Sequence, residues 1–471
     1  MNISIYNTMD RKIEPFIPLH GKSVGMYCCG PTVYNYAHIG NLRTYIFEDL
    51  LHRILTYAGY DLKHVMNVTD VGHLSDDGDE GEDKMERRSR ESGMSVYDIA
   101  QMYTAAFFED TDALNIITPD VACRATEHID QMIALIKRLE ENGHTYISGG
   151  NVYFSIDTFP EYGRLAKLNL DQLQSGARIE VDENKKNPKD FVLWFTKSKF
   201  ENHAMMWDSP WGSGYPGWHI ECSAMSMHYL GESFDIHCGG IDHVNVHHTN
   251  EIAQSEAATG KNWVKYWVHG EFLINETGKM SKSKGEFLTL SLLKEKGYEP
   301  LDYRYFCLGG HYRSQLVFSW KSLDAAKNGR KNLMKAVSGL PFDTSRTVES
   351  ITDEDSLSYL EQFKDHISVD LHIPQALALL WTLVKDSTVS DEDKAVLIRD
   401  MDRIFALDLT VKQPEGDESD IPQEIHDLVE QRVQAKKDKN YPLADEVRAI
   451  VESKGYLIKD TKDGPIVSKK L

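Results

Sequence analysis

The stretch Val24-Gly25-Met26-Tyr27-Cys28-Cys29-Gly30-Pro31-Thr32-Val33-Tyr34-Asn35-Tyr36-Ala37-His38-Ile39-Gly40-Asn41 decides the fold class. Its first five residues are a β-prone run, and Gly30-Pro31 breaks it. From Arg43 to Ala58 the apolar residues Ile46, Phe47, Leu50, Leu51, Ile54 and Leu55 recur on one face at helical period. Gly59 follows as a helix stop. Leu62 to Val68 reads as a second strand. Strand, loop, helix and strand in this order begin a parallel, Rossmann-like α/β sheet.

Working outward, Val96 to Asn142 reads as helices ended by Gly143, and Tyr146 to Phe200 as short strands and loops inserted between two halves of the sheet. The second half resumes with Phe234-Asp235-Ile236-His237, a strand ending in Cys238-Gly239-Gly240. A helix from about Val246 to Ala258 and a strand from Trp267 to Ile274 lead into the loop Gly278-Lys279-Met280-Ser281-Lys282-Ser283. Leu323 to Leu407 is helical, with breaks near Pro341 to Thr352 and around Ser387, and predicts a bundle. Leu409 to Asp420 is rich in acidic residues and turn formers, and poor in apolar ones. In the final segment Ile425, Leu428, Val429 and Val433 line one helix. Leu443, Val447, Ile450 and Val451 line another, and Lys462-Asp463-Gly464-Pro465 turns a hairpin. The expected division is a catalytic nucleotide-binding domain at 1–320, with the insertion at about 120–205 and the lysine loop region at about 270–310. A helical bundle (321–408), a linker (409–420) and a small C-terminal domain (421–471) complete the chain.

Length sets a prior of two to four domains: 471 residues exceed one ordinary domain. A formal charge of -21 argues against a nonspecific nucleic-acid coat, and leaves room for one folded RNA read through a local basic face. No run of 18 apolar residues suggests a membrane span, and the N-terminus lacks the pattern of a signal peptide, so a cytoplasmic protein is expected. Six cysteines, two of them adjacent, fit thiols or metal ligands better than a disulfide framework. The acidic run from Asp76 to Asp83 lacks the fixed endpoint of a calcium loop and reads as a solvated loop.

Polyphosphate chemistry needs positive ends already in place. The N-terminus of the Arg43 helix offers unpaired N–H groups and a partial positive charge, and Gly40 allows close backbone approach. His38 can donate to a phosphate oxygen as charge builds, and Lys279 and Lys282 add mobile charge on a loop able to close over a nucleotide. Gly240 and Asp242 follow a strand where adenosine binds in open α/β sheets, and Asp242 is placed to hold ribose hydroxyls.

Four residues stand out as metal ligands: Cys29, Cys222, His247 and Glu251. His247 and Glu251 are four apart on one helix face. Thiolate, imidazole and carboxylate together favour zinc. Spacing alone leaves other readings open: Cys29 as a small buried hydrophobe, His248 in place of His247, Trp218 as core.

His38-Ile39-Gly40-Asn41 and Lys279-Met280-Ser281-Lys282-Ser283, roughly 240 residues apart, resemble the HIGH and KMSKS signatures of class I aminoacyl-tRNA synthetases. The segments Met26–Thr32, Phe191–Trp194, Pro216–Met225, His247–Ser255 and Gly310–Ser314 are similar to the cysteinyl-tRNA synthetase family, as is Tyr441–Arg448. Asn41 departs from the family's usual second histidine, and Thr249 falls where an acidic residue is common.

The resemblance implies an ATP-dependent aminoacyl-tRNA ligase. L-cysteine would be activated with ATP and Mg2+ to an adenylate and pyrophosphate, then passed to the terminal adenosine of tRNA(Cys), with the 2′-hydroxyl attacking. It implies that His38 and Asn41 contact the phosphate and ribose region. It also implies one Zn2+ per subunit on Cys29, Cys222, His247 and Glu251, bound to the substrate's sulfur. Zinc prefers thiolate to hydroxyl, so serine is rejected where an apolar pocket separates near-isosteres only about a hundredfold. Because four protein ligands close a tetrahedral ion, Glu251 is expected to make a long, yielding contact. Trp218 and His237 are expected to wall the cysteine pocket, and Thr32 and Thr69 to hold its ammonium or carboxylate. Gln431, Arg432, Lys436, Lys437, Lys439, Lys469 and Lys470 form a local, mostly basic cluster suited to phosphates or to a solvated helix face. The resemblance also implies that the helical bundle and the small C-terminal, anticodon-type domain read the tRNA stem and anticodon, and a monomer is expected. Two alternatives share these features: a cysteine ligase acting on a sugar amine, as in mycothiol synthesis, and an inactive tRNA-binding paralogue.

Overall fold

The computed structural model of the chain describes residues 1–72, 84–167, 183–197, 204–275, 278–279, 287–342, 345–411, 422–438, 440–461 and 464–469. It divides into two compact units, Met1–Leu409 and Thr410–Leu471. The acidic run Asp76–Asp83, residues Met280 to Ser283 of the lysine loop, and most of the expected linker lie outside the described residues.

The first unit opens with a hairpin, β1 (Ser4–Asn7) and β2 (Lys12–Pro15), followed by β3 (Ser23–Cys28). Helix α1 (Ile39–Tyr57) returns the chain to β4 (Asp61–Val68), parallel to β3. After α2 (Lys84–Ser92) and α3 (Val96–Ala113), β5 (Val121–Arg124) adds to the same sheet. Helix α4 (Ile129–Glu141) then leads into an antiparallel sheet of β6 (Thr145–Ser148), β7 (Asn151–Phe154), β8 (Phe191–Phe195) and β9 (Tyr215–Pro216). The chain re-enters the main sheet through α5 (Trp218–Leu230), β10 (Phe234–Gly240), α6 (His247–Thr259) and β11 (Val264–Gly270).

The main sheet has the order β11-β10-β3-β4-β5, and every neighbouring pair is parallel. The chain therefore winds outward from β3 on one side and returns to wind outward on the other. The reversal falls between β3 and β10, where open α/β sheets bind ligands beyond the strand C-termini.

The apolar face read in α1 is buried: Leu51, Ile54 and Leu55 are fully enclosed, each contributing about 1.5–3 kcal/mol. Gly59 adopts the left-handed φ of +86° just past the helix, as its stop position requires. The helix begins at Ile39, a turn earlier than its amphipathic pattern. A capping box supplies that turn: His38 accepts from the Asn41 backbone N–H, and the Asn41 side chain accepts from His38 N.

Two further elements depart from the sequence-based expectation. Val121–Arg124 is an edge strand within a stretch expected to be helical, too short to show a pattern. The strand expected from Trp267 to Ile274 is two, β11 and then β12 (Leu273–Asn275), broken at Glu271-Phe272. β12 pairs with β13 (Gly278–Lys279) on one side and β14 (Leu316–Phe318) on the other. Between these strands lie α7 (Leu290–Glu295) and α8 (Pro300–Leu308).

Helices α9 (Trp320–Val337), α10 (Glu354–Ser368), α11 (Ile373–Lys385) and α12 (Asp391–Phe405) complete the unit. The break between α10 and α11 carries no glycine signal: Asp370 and Leu371 take φ of +52° and +54°. The Asp370 carboxylate offsets that strain by accepting from Tyr6 N, Tyr312 Oη and Arg313 Nε. Leu333, Phe363, Leu380 and Met401 share one core with Ile46 and Leu51 of α1, so these helices pack continuously with the sheet unit.

In the second unit α13 (Gln423–Lys437) and α14 (Tyr441–Ser453) pack on a hairpin of β15 (Tyr456–Thr461) and β16 (Gly464–Lys469). Ile425, Val429, Val451, Tyr456 and Ile458 form its core. Ile450 is exposed, so the buried face of α14 is Ala444, Val447 and Val451. Arg432 is buried, which removes it from the basic surface cluster; Lys439 and Lys470 lie outside the described residues.

Candidate active site and metal cluster

A cavity of about 230 Å³ opens at the C-terminal ends of β3 and β10, at the winding reversal. Cys29, Thr32, His38, Asn41, Gly240 and Asp242 are among its lining residues. His38 sits at the N-cap of α1, where its Nδ1 accepts from Asn41 N at 3.1 Å. That acceptance places the ring proton on Nε2, leaving a neutral donor at the positive end of a 19-residue helix. Glycine at 40 leaves the imidazole its orientation: a Cβ there would lie 2.9 Å from the His38 ring. At Gly240 a Cβ would collide with the Asp242 carboxylate, so glycine lets that side chain fold back over the end of β10. Lys279 lies in β13, paired with Ile274 of β12. Lys282 lies outside the described residues.

Beside the cavity, ligand atoms of Cys29, Cys222, His247 and Glu251 lie within 4.8 Å of one another, all buried. The quartet comes from three elements. Cys29 follows β3, Cys222 sits in α5, and His247 and Glu251 share the inner face of α6. A second grouping, Cys29, His237, His248 and Glu251, meets the same distance. The first holds two thiols and is the softer donor set, the kind that suits zinc.

Charge in the cluster is ordered. Burial alone would depress the His247 pKa, but Glu251 and Cys222 outweigh it and hold His247 up at about 10. Burial would likewise raise Glu251, yet His247 and His237 hold it down at about 2. Cys222 is lowered, chiefly by the hydrogen bond from Cys29, while burial pushes Cys29 well up. These donors therefore favour a positive charge at their centre. Glu251 Oε1 approaches His247 Nε2 at 2.6 Å without hydrogen-bond alignment, an oxygen placed to serve a cation.

Behind the quartet stands a shell of histidines. His237 Nε2 lies 2.7 Å from Glu251 Oε2, and His219 Nδ1 lies 2.9 Å from His247 Nδ1. His248 contacts Cys29 Sγ at 3.2 Å and is backed by His269 and then Thr8. Such backing orients ligands and tunes their basicity. Of the expected pocket residues, Trp218 packs on His247 with ring centroids 4.3 Å apart and planes tilted by 32°. His237 is fully buried against Glu251 and does not line the cavity. Thr32 lines it and bridges to Thr69. The Thr69 hydroxyl already donates to Glu221 Oε2 and accepts from Asn67, which leaves it an acceptor lone pair at most. His219, His243, His269 and Glu221 were not singled out in the sequence. The one signal was the density of histidines between His219 and His269.

A family model described as "tRNA synthetases class I (C) catalytic domain" matches residues 15–328. Over 100% of both chains, the protein is 53% identical to one from Treponema denticola described as cysteine--tRNA ligase. It is 46% identical to one so described from Borrelia hermsii, again over 100% of both. It is 45% identical to "Cysteine--tRNA ligase 1" of Burkholderia lata, covering 98% of this chain and 96% of that one. Among solved structures, a Mycobacterium tuberculosis methionyl-tRNA synthetase bound by methionyl-adenylate aligns with a TM-score of 0.55 at 16% identity. That alignment covers 84% of this chain and 92% of that one, a likeness of fold.

Proposed function

The chain belongs to the class I tRNA synthetases of the cysteine type, and from that premise we propose that it activates L-cysteine with ATP and Mg2+ and transfers it to the terminal adenosine of tRNA(Cys). In the first step a cysteine carboxylate oxygen bonds to the α-phosphorus of ATP, and the bond to pyrophosphate breaks. In the second, the ribose 2′-hydroxyl bonds to the acyl carbon, its proton leaves, and AMP departs.

His38 donates from Nε2 to phosphate oxygen as charge accumulates, and the first N–H groups of α1 add a fixed positive field. Asn41 fixes the imidazole through the capping box and borders the phosphate and ribose. Asp242 accepts from ribose hydroxyls at the end of β10. Lys279 and Lys282 neutralise the departing pyrophosphate. Cys29, Cys222, His247 and Glu251 would hold zinc, and their two thiols, imidazole and carboxylate, buried together, fit it. Bound there, zinc would supply selection of a substrate sulfur over oxygen. Trp218 packs along His247 to shape that side of the pocket, and His219 and His237 hold the ligands' orientation.

The single observation carrying this reading is the buried quartet at a cavity that Cys29 lines together with His38 and Asn41 of the capped helix. Full-length relatives described as cysteine--tRNA ligases do not favour a sugar-amine acceptor or an inactive chain. Cysteine-dependent ATP–pyrophosphate exchange, with serine as control, tests activation. Charging of purified tRNA(Cys) tests the acceptor. Exchange with cysteine alone, followed by charging, is expected; exchange without charging would reassign the acceptor.

A further inference from the structure

We infer that Arg43 is a positioning residue for the nucleotide step, locking the strands that carry Lys279 to the helix turn that carries His38 and Asn41. The inference rests on the ATP-dependent activity proposed for the chain.

Arg43 lies in the first turns of α1, and its side chain is buried at 5% exposure. Its four hydrogen bonds all go to backbone carbonyls. Nη1 donates to Glu271 O at 2.7 Å and to Phe272 O at 2.5 Å. Nη2 donates to His311 O at 3.2 Å and to Ser314 O at 2.5 Å. Among the described residues no carboxylate accepts a hydrogen bond from it. A guanidinium whose hydrogen bonds in the interior all go to peptide carbonyls is an expensive construction, since burial opposes its charge and outweighs the support of nearby groups such as Glu271. Its fork instead matches four carbonyls on two separate segments, which an ammonium cannot do.

Those segments matter because of the strands they lead into. Glu271-Phe272 is the break before β12, and β12 pairs residue for residue with β13, Ile274 opposite Lys279. His311 to Ser314 precede β14, the parallel partner of β12, and Leu316 N donates to the same Phe272 carbonyl. Arg43 therefore grips both supports of the Lys279 strand at their base. The far side of the lysine loop is fastened to the same helix turn: Ile39 N donates to Leu288 O at 2.8 Å, and His38 bridges Thr289. Entry and exit of the loop are both referenced to residues 38–43, so the spacing of the two phosphate-handling groups depends on this clamp.

The test is a double-mutant cycle read by ATP–pyrophosphate exchange on the full chain with Arg43→Lys, Lys279→Ala and the pair. Arg43→Lys should lower kcat about a hundredfold, the cost of a misplacement near 1 Å, with the KM for cysteine changed less than about twofold. In the Lys279→Ala background the same change should cost less than about threefold, because the group being positioned is gone. A purely structural arginine would give multiplicative losses, or a lower melting temperature at full kcat, and either result overturns the inference. Should Arg43→Lys fail to fold, Arg43→Met keeps the stem without a buried charge and carries the same cycle. Absence of cysteine-dependent exchange in the unaltered protein would instead count against the function itself.

Discussion

His247 and Glu251 sit one turn apart on α6, and their joint position was readable because helical spacing is local. Cys29 and Cys222 join them only through the winding of the sheet, so spacing could nominate them without placing them. The histidine shell was less legible still, since each contact, such as His219 to His247, spans tens of residues. Replacing Cys222 by Ser removes one of two thiols from the donor set. The expected result is at least a tenfold loss of metal affinity and a matching rise in KM for cysteine, with KM for ATP nearly unchanged. Metal content after dialysis against a chelator, alongside exchange kinetics, checks it; full metal retention with normal cysteine KM would refute the assignment.

At the scale of elements, α1 is where fold and chemistry meet. Its apolar face was plain in the sequence, but its first turn was not. Gly40 and Asn41 add no hydrophobic signal, and the turn exists through the His38–Asn41 box. Gly40→Ala separates the two roles. Alanine favours the helix by up to about 1 kcal/mol, yet its Cβ would stand 2.9 Å from the imidazole and turn it. Thermal stability should hold within about 1 kcal/mol while single-turnover adenylate formation slows tenfold or more. A normal rate would show that the ring's orientation is immaterial. Farther along, Asp49 is fully buried and accepts from Arg304 Nη2 at 2.5 Å and Arg53 Nε at 2.8 Å. Its pKa stays low because these cations outweigh the burial that would raise it. Asp49→Ala strands Arg304 in the core and should cost about 3–5 kcal/mol in denaturant unfolding. Neither partner was legible as such, because the pair spans 255 residues and joins two helices.

For the molecule as a whole, acid should loosen the first unit through His64. Burial, aided by His52, depresses its pKa from 6.5 to about 4. The unfolded chain then binds the extra proton between those values, so this stability is full above pH 6.5 and drains as pH falls toward 4. Between pH 7 and 5 the loss from this group is about 2 kcal/mol. His64→Gln should flatten the pH dependence of unfolding by that amount, and an unchanged slope would exonerate it. The parallel sheet and the helical stretches were visible in advance through strand runs and apolar faces. The edge strand Val121–Arg124 and the kink at Asp370-Leu371 were not, because tertiary pairing and a buried carboxylate create them.

The grip of Arg43 has one more consequence. It touches peptide oxygens, which every amino acid supplies, so the letters at 271, 272, 311 and 314 are free to drift as far as this contact is concerned. What cannot change there is the count of residues. A single insertion or deletion in either segment would shift an oxygen out of reach of the fork, so related chains should keep their length at these places whatever residues stand there.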